Sequence, residues 1–202
     1  SGSTNLLLIK DSISSMDLSS ENFFHFYGII ISIILIIAGL SFKMAIVPWQ
    51  MWIPDVYQGA PTPVAAFLSI ASKASAFAVI IRIFYTAFSN ETLMIDWSLI
   101  FAILAAITMT IGNLFALNQN NIKRLLGYST IAQAGYILIG LAAIPGSQSL
   151  DFSGVQGSMY YLAGYLFTNL SIFIVVTIII SKTKDETIQG LSGFIRISPV
   201  YS

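Results

Sequence analysis

Apolar residues in this sequence are gathered into long runs, which short polar stretches separate. A helix needs about 20 mainly apolar residues to cross a hydrocarbon core about 30 Å thick, and five runs reach that length. The pattern therefore predicts an all-α bundle of transmembrane helices with five spans. They cover about residues 23–57, 63–88, 97–117, 123–144 and 155–181.

The first run is too long for one straight crossing. Residues 23–57 number 35, which is about 52 Å as a single helix. Pro48 and Pro54 lie inside the run, and proline removes a helix hydrogen bond. We predict a discontinuous span broken at Pro48, with non-helical backbone from about 45 to 49 that faces the protein interior. The alternative is a helix that ends at residue 47, followed by an interfacial loop that two tryptophans anchor.

Composition strengthens the membrane assignment and excludes several classes of site. The chain is 56 % hydrophobic and only 9 % charged, with a mean hydropathy of +0.82, whereas soluble domains carry about 25 % charged residues. Acidic and basic residues balance, so the chain has no nucleic-acid-binding charge pattern. Cysteine is absent, which excludes Cys-ligated zinc or iron–sulfur sites. The single histidine, His25, lies at a membrane boundary, where an interfacial role is commoner than metal ligation.

Charges in the connectors separate by side of the membrane. Residues 1–22 and the turns near Glu91 and Asp151 hold one base against six acids, whereas the alternate connectors hold Lys123, Arg124 and a basic tail. Basic loops favour the cytoplasmic side. We therefore predict that the first span runs from outside to inside, with the Lys123–Arg124 turn in the cytoplasm.

Two lysines lie inside the predicted spans. Lys43 precedes the predicted break, and Lys73 lies ten residues after Pro63, about 15 Å into the second helix. A charge at mid-depth costs roughly 2.5–3.5 kcal/mol on insertion scales. Lysine, unlike arginine, can lose its proton in a protein interior, so both residues are candidate proton-relay sites. The alternative is an apolar stem whose ammonium reaches the interface.

Other polar residues in the spans permit two interpretations each. The fourth span contains Gln133 and Tyr136, and the fifth contains five polar residues, Tyr160, Tyr161, Tyr165, Thr168 and Asn169. They are either hydrogen-bonding contacts between helices or the lining of a hydrated path. Asp55 is either a helix cap or a member of the relay.

Two stretches resemble one membrane-protein family closely. "GLSFKMAIVPWQMWIPDVYQGAPTPVAAFLSIASK" and "NLFALNQNNIKRLLGYSTIAQAGYILIGL" are similar to subunit N of proton-pumping NADH–quinone oxidoreductase, respiratory complex I, whose chloroplast and cyanobacterial counterpart is subunit 2. The resemblance covers essentially all 202 residues. It implies one antiporter-like, proton-translocating domain over 1–202, which corresponds to helices 7–11 of a 14-helix fold with a discontinuous helix 7. The chain does not begin with Met, and we expect it to be a piece of a longer protein.

The resemblance also implies roles for individual residues. Lys43 corresponds to the family's helix 7 lysine, whose partner is a glutamate on helix 5, and Lys73 to the helix 8 lysine, from which the route continues to a lysine on helix 12. Tyr161 and Tyr165 occupy positions where related subunits have histidines. Tyrosine ionises near pH 10, so these two residues are expected to orient water rather than to titrate.

The activity that the resemblance implies belongs to a whole translocase complex. Electrons would pass from NADH to quinone in partner subunits, which would hold NADH, FMN, iron–sulfur clusters and quinone, and this chain would hold no cofactor or metal. Its partners would be the other membrane subunits, the lipid bilayer and protons. Its location would be the bacterial inner membrane, or a thylakoid or other energy-transducing membrane. The rival interpretations are a subunit of a cation/proton antiporter of the same fold and a structural spacer without an ion path.

Overall fold

The structure, a computed structural model, describes residues 2–15, 23–89, 91–143 and 153–191. These residues are helical apart from turns and one antiparallel bridge between Asn121 and Thr187. The helices are α1 Leu6–Ser14, α2 Phe23–Met44, α3 Trp52–Gly59, α4 Thr62–Phe67, α5 Lys73–Ala87, α6 Glu91–Ala116, α7 Ile122–Ala142 and α8 Ser153–Thr183. A π-helical turn, Leu68–Ser72, joins α4 to α5, and a 3₁₀ turn spans Gln189–Leu191.

Five helical segments of the described chain are long and apolar enough to cross a membrane, as predicted. They are Tyr27–Met44, Thr62–Ala87, Trp97–Ala116, Ile122–Ala142 and Ser153–Thr183. The predicted all-α class and five spans are confirmed. Two helices extend beyond their apolar runs, since α6 begins at Glu91 and α8 continues to Thr183. Polar residues at a membrane boundary end the apolar run without ending the helix.

The predicted break in the first span is confirmed. Helix α2 ends at Met44, and helical backbone resumes only at Trp52. Ala45 has a φ of 61°, a left-handed conformation that a non-glycine residue keeps only where its surroundings fix it. The backbone at residues 45–47 is buried, while Pro48 is exposed. The Val47–Pro48 peptide bond is cis.

Polar groups that the break releases find partners nearby. The Val47 amide donates to Thr108 Oγ1 of α6 at 3.2 Å, and the Trp52 indole donates to the Phe42 carbonyl at 3.0 Å. The Thr108 side chain of α6 and the Trp52 indole of α3 thus replace helix hydrogen bonds that the break removes. Buried backbone polar groups need such partners. Trp52 therefore joins the start of α3 to the end of α2 across the break.

Helix α1 was not predicted, because its nine residues lie in what the sequence presents as a polar connector. The Asn5 side chain caps it by accepting from the Leu7 amide at 3.0 Å, the usual role of asparagine at a helix start. Ile13 is buried and packs in a core shared by α1, α2, α5, α6 and α7. Packing against α5 therefore fixes a helix that is too short to persist alone.

Helix α7 lies between α6 and α8 at short range. A Cβ added to Gly112 of α6 would lie 2.6 Å from the Ala132 amide nitrogen, and one added to Gly140 would lie 2.0 Å from Ser158 Oγ of α8. Such approach needs residues without a side chain, as in many membrane helix pairs. Helix α7 packs against α3, α6 and α8.

Candidate functional site

Lys73 occupies the centre of a buried polar cluster. Its side chain is 1 % exposed, and its ammonium donates to the Thr130 carbonyl of α7. The Tyr165 ring of α8 has its centroid 5.8 Å from Lys73 Nζ, within the range where an aromatic face attracts a cation. A backbone dipole and a ring face therefore stabilise the charged lysine in place of water.

The π-helical turn Leu68–Ser72 leads directly into Lys73 and forms one wall of the cluster. Such single wide turns are rare and are frequent at functional sites. The buried Ser69 hydroxyl donates to the Ala66 carbonyl at 2.7 Å, and it accepts from Asn169 Nδ2 of α8 at 2.7 Å. The Tyr165 hydroxyl reaches the Ser69 carbonyl at 3.4 Å. Two side chains of α8 therefore contact both oxygen atoms of Ser69 in the wide turn.

Tyr57 of α3 closes the cluster from another side. It is fully buried and its ring meets Phe173 of α8 edge-on, with centroids 6.1 Å apart. Its hydroxyl lies beside the side chains of Thr130 and Ser69 but meets hydrogen-bond geometry with no described residue. A buried hydroxyl without a fixed partner is uncommon, and it can turn toward either neighbour or toward water.

Lys73 has no carboxylate partner among the described residues, where the two ion pairs are Lys123–Glu186 and Arg124–Asp55. The Thr130 carbonyl and the Tyr165 ring lie beside its ammonium instead. These groups tolerate both the charged and the neutral amine, whereas a carboxylate at contact distance would strongly favour the charged form. The site is therefore chemically suited to a lysine whose protonation changes.

The predicted site residues separate into two places. Lys73 and Tyr165 lie together in the cluster, and Tyr161, one turn before Tyr165 on α8, donates to Gln133 of α7. Lys43 and Pro48 lie instead at the end of α2 and in the break, where both are exposed. Lys43 forms no hydrogen bond or ion pair with another described residue, so the structure does not bring it to Lys73.

Polar contacts continue from the cluster to the half-exposed face of α6 and α7. The Tyr161 and Tyr136 rings lie 6.2 Å apart, and Asn113 Nδ2 donates to the Tyr136 hydroxyl at 3.3 Å. Gln133 and Tyr136 were predicted to be either helix contacts or path lining. They are contacts here, and they also form a continuous polar strip with Tyr161.

Sequence reasoning missed two members of the cluster, Tyr57 and Ser69. The signal for Ser69 was its position four residues before Lys73, since residues at that spacing share a helix face. Tyr57 gave no comparable signal, because the break and the turn after Gly59 decide where α3 lies. Asp55, by contrast, forms an ion pair with Arg124, whose Nη1 lies 2.5 Å from Asp55 Oδ1, and this pair accounts for Asp55 without a relay role.

A second buried lysine is held differently, at the start of α7. Lys123 Nζ lies 2.7 Å from Glu186 Oε1 and 3.3 Å from the Ala60 carbonyl, and Asn121 Nδ2 donates to Glu186 Oε2 at 3.2 Å. Partial burial raises the pKa of the Glu186 carboxyl, but the bonds from Lys123 and Asn121 and the Lys123 charge outweigh it, so its pKa is lowered. This group, the Lys123 clasp, ties the segment after α8 to the turns before α4 and α7.

No group of three or more histidine and carboxylate side chains is placed to hold a metal ion within the described ranges. The residues around Lys73 likewise include no carboxylate or imidazole ligand. The described groups of the cluster are hydrogen-bond donors and acceptors beside an aromatic ring.

Comparison with known proteins identifies the family. All of residues 1–202 match the family described as NADH:quinone oxidoreductase/Mrp antiporter, transmembrane. This chain belongs to that family. It is therefore an integral membrane protein, and the predicted antiporter-like fold class is confirmed.

Two relatives agree with the predicted resemblance. The chain is 45 % identical to NADH-quinone oxidoreductase subunit N of Dehalococcoides mccartyi, over 100 % of this chain and 41 % of that protein. It is 40 % identical to NAD(P)H-quinone oxidoreductase subunit 2 of Synechocystis, over 98 % of this chain and 36 % of that protein. The chain thus spans about two fifths of the length of these relatives.

Solved structures show the same fold. Respiratory complex I from Thermus thermophilus contains a chain that is 33 % identical, with a TM-score of 0.64 over 84 % of this chain and 34 % of that one. The Mrp complex from Dietzia contains a chain that is 21 % identical, with a TM-score of 0.71 over 88 % of this chain and 30 % of that one. The Mrp likeness shows the fold alone.

Proposed function

We propose that this chain is part of the proton-translocating membrane subunit N of an NADH–quinone oxidoreductase, and that Lys73 is a proton-relay site. The observation that carries the proposal is the environment of Lys73. Its amine is fully buried in a transmembrane helix, yet its described partners are neutral groups that accommodate either protonation state.

The neighbouring tyrosines support a hydrated route to and from Lys73. Tyr165 is within contact of Lys73 and Ser69, and Tyr161 continues the polar strip to Gln133. Their hydroxyls both donate and accept, so they can orient water without ionising. In the proposal Tyr161 and Tyr165 order the route, and protons move through Lys73.

Lys43 is proposed as the second relay site. It lies at the end of α2, immediately before the break closed by Thr108 and Trp52. An ammonium on an exposed membrane face is costly unless protein or water covers it. In the proposal, therefore, other parts of the complete subunit cover Lys43 and supply its acidic partner.

Electron transfer is assigned to partner subunits. The relatives are named as subunits of quinone oxidoreductases, and this chain carries no cysteine or other ligand set for a redox cofactor. We propose that NADH, FMN, iron–sulfur clusters and quinone bind to partners, and that this chain moves protons when those partners change state.

The test uses the intact complex in sealed membrane vesicles, with protons translocated per electron as the measured quantity. Lys73→Met removes the exchangeable proton but keeps the length of the side chain, and we expect assembly with normal electron transfer and poor pumping. Normal pumping by an assembled Lys73→Met complex would falsify the relay.

A matched measurement distinguishes the rival antiporter function. A cation/proton antiporter would exchange protons when a sodium gradient is imposed, without NADH oxidation. The proposal expects translocation only during electron transfer, and sodium-driven exchange that Lys73→Met abolishes would favour the antiporter instead.

A further inference from the structure

We propose that Asn169 is a positioning residue for Lys73, which acts by holding the π-helical turn Leu68–Ser72 through Ser69. The inference deepens the proposed function and rests on it, because positioning matters only if Lys73 carries protons. In this proposal the buried Asn169 carboxamide of α8 determines the direction in which the Lys73 ammonium points.

The wide turn decides where Lys73 lies on its helix. A π turn contains one residue more than an α turn, and each residue of an α-helix advances by roughly 100°. Converting Leu68–Ser72 to regular α-helix would therefore rotate Lys73 by roughly that angle relative to α4. Its ammonium would then leave the Thr130 carbonyl, to which it now donates.

Asn169 contacts the wide turn directly. It is 6 % exposed, and its Nδ2 donates to Ser69 Oγ at 2.7 Å and to the Tyr165 hydroxyl at 3.0 Å. A carboxamide nitrogen has two donors, and these two bonds use both of them. The orientation of the Asn169 side chain is therefore fixed by the same two residues that surround Lys73.

Ser69 passes this restraint to the backbone. Its hydroxyl donates to the Ala66 carbonyl at 2.7 Å, and its carbonyl accepts from the Tyr165 hydroxyl at 3.4 Å. Asn169 orients both the Ser69 hydroxyl and the Tyr165 hydroxyl, and so it controls two contacts to one residue of the turn. Replacing Asn169 with an apolar residue leaves two buried hydroxyls without this donor, which is costly, and removes the contact that we infer holds the turn.

The experiment measures protons translocated per electron by the intact complex in vesicles, for six variants. Asn169→Leu keeps the side-chain size and removes the donors, whereas Asn169→Gln keeps the carboxamide. Ser69→Ala, Lys73→Met and the double variant Asn169→Leu/Ser69→Ala complete the series. Thr168→Val is the matched control, because Thr168 is an exposed neighbour whose hydroxyl bonds only within α8.

We expect Asn169→Leu to assemble, to transfer electrons normally and to lose pumping to the level of Lys73→Met. Asn169→Gln should pump better than Asn169→Leu, and Thr168→Val should pump normally. The double variant should be no worse than Asn169→Leu alone, since residues that act as one unit are not additive. A structure of the Asn169→Leu complex should show regular α-helix at 68–72 and Lys73 away from Thr130.

The outcomes separate the two proposals. Normal pumping by Lys73→Met overturns the relay and this inference with it. Poor pumping by Lys73→Met together with normal pumping by Asn169→Leu overturns this inference alone, as does an unchanged π turn in the variant structure. If Asn169→Leu fails to assemble, Ser69→Ala decides, because normal pumping by that variant contradicts the inference.

Discussion

Two buried lysines in this chain are held in opposite ways. Lys73 is 1 % exposed and Lys123 is 5 % exposed, so desolvation acts on both. Lys123 has a carboxylate at 2.7 Å, whereas the contacts of Lys73 among the described residues are a carbonyl and a ring face. A carboxylate partner fixes the charge of a lysine, and neutral partners leave that charge able to change.

This comparison indicates that the buried charge of Lys123 is structural. The Lys123 clasp joins segments distant in sequence, and the pairing continues into the backbone, where the Ile122 amide donates to Glu186 and the Ile188 amide to Asn120, each at 2.9 Å. The Lys73 cluster joins helices too, but its ammonium contributes no ion pair to that packing. Burial alone therefore does not mark a relay lysine, and the partner decides.

The largest expected effect comes from making the same substitution at both lysines. Lys73→Arg is expected to abolish most pumping, because guanidinium does not lose its proton in proteins. Lys123→Arg should pump normally, because its role is a fixed charge beside Glu186. Protons per electron in vesicles measure both, and equal effects at the two positions would remove the distinction.

Glu186→Gln should destabilise the clasp by about 1–3 kcal/mol, because it leaves the buried Lys123 charge with only a carbonyl. Thermal release of the subunit from the purified complex measures the loss. Adding Lys123→Met should recover part of it, since removing both charges costs less than removing one. A double variant less stable than Glu186→Gln would contradict this account.

Acid should loosen the clasp. Since the pKa of Glu186 is lowered in the folded state, its contribution is present above the unfolded value of about 4.3 and is lost as pH falls through the folded pKa. Asp185, whose pKa is lowered by hydrogen bonds from Thr187, acts in the same direction.

Hydrogen exchange at the Ile122 and Ile188 amides, corrected for intrinsic rates, should therefore show lost protection only at low pH. The same measurement in Glu186→Gln should show a weaker pH dependence, with the remainder due to Asp185. An unchanged pH dependence of protection in Glu186→Gln would show that other groups cause the loss of protection.

The smallest effect is expected at the exposed ion pair. Asp55 and Arg124 have side chains 71 % and 33 % exposed, and exposed pairs contribute about 0–1 kcal/mol. Asp55→Asn should therefore change thermal release less than Glu186→Gln does, and leave pumping unchanged. Poor pumping by Asp55→Asn would return Asp55 to the relay.

Hydrophobic patterning alone predicts the membrane class, the five spans and the broken first span. The hydropathy pattern gives the length of each apolar run, and the thickness of the bilayer sets the length that a spanning helix needs. A run of 35 residues with prolines inside it cannot be one straight crossing. The depth of Lys73 followed from the same rise per residue. The short helix α1 and the ends of α6 and α8 did not follow, because packing and helix continuity override polarity there.

The surroundings of each lysine depend instead on contacts between segments that are distant in sequence. Thr130 lies 57 positions from Lys73, and Asn169 lies 100 positions from Ser69, so no local pattern could pair them. The π turn was equally hidden, since its sequence reads as ordinary helix and the α8 side chains that contact its Ser69 lie 96 and 100 positions away. The sequence places Lys73 within an apolar span, but the packing of α7 and α8 determines that its contacts among the described residues are neutral, which distinguishes it from Lys123.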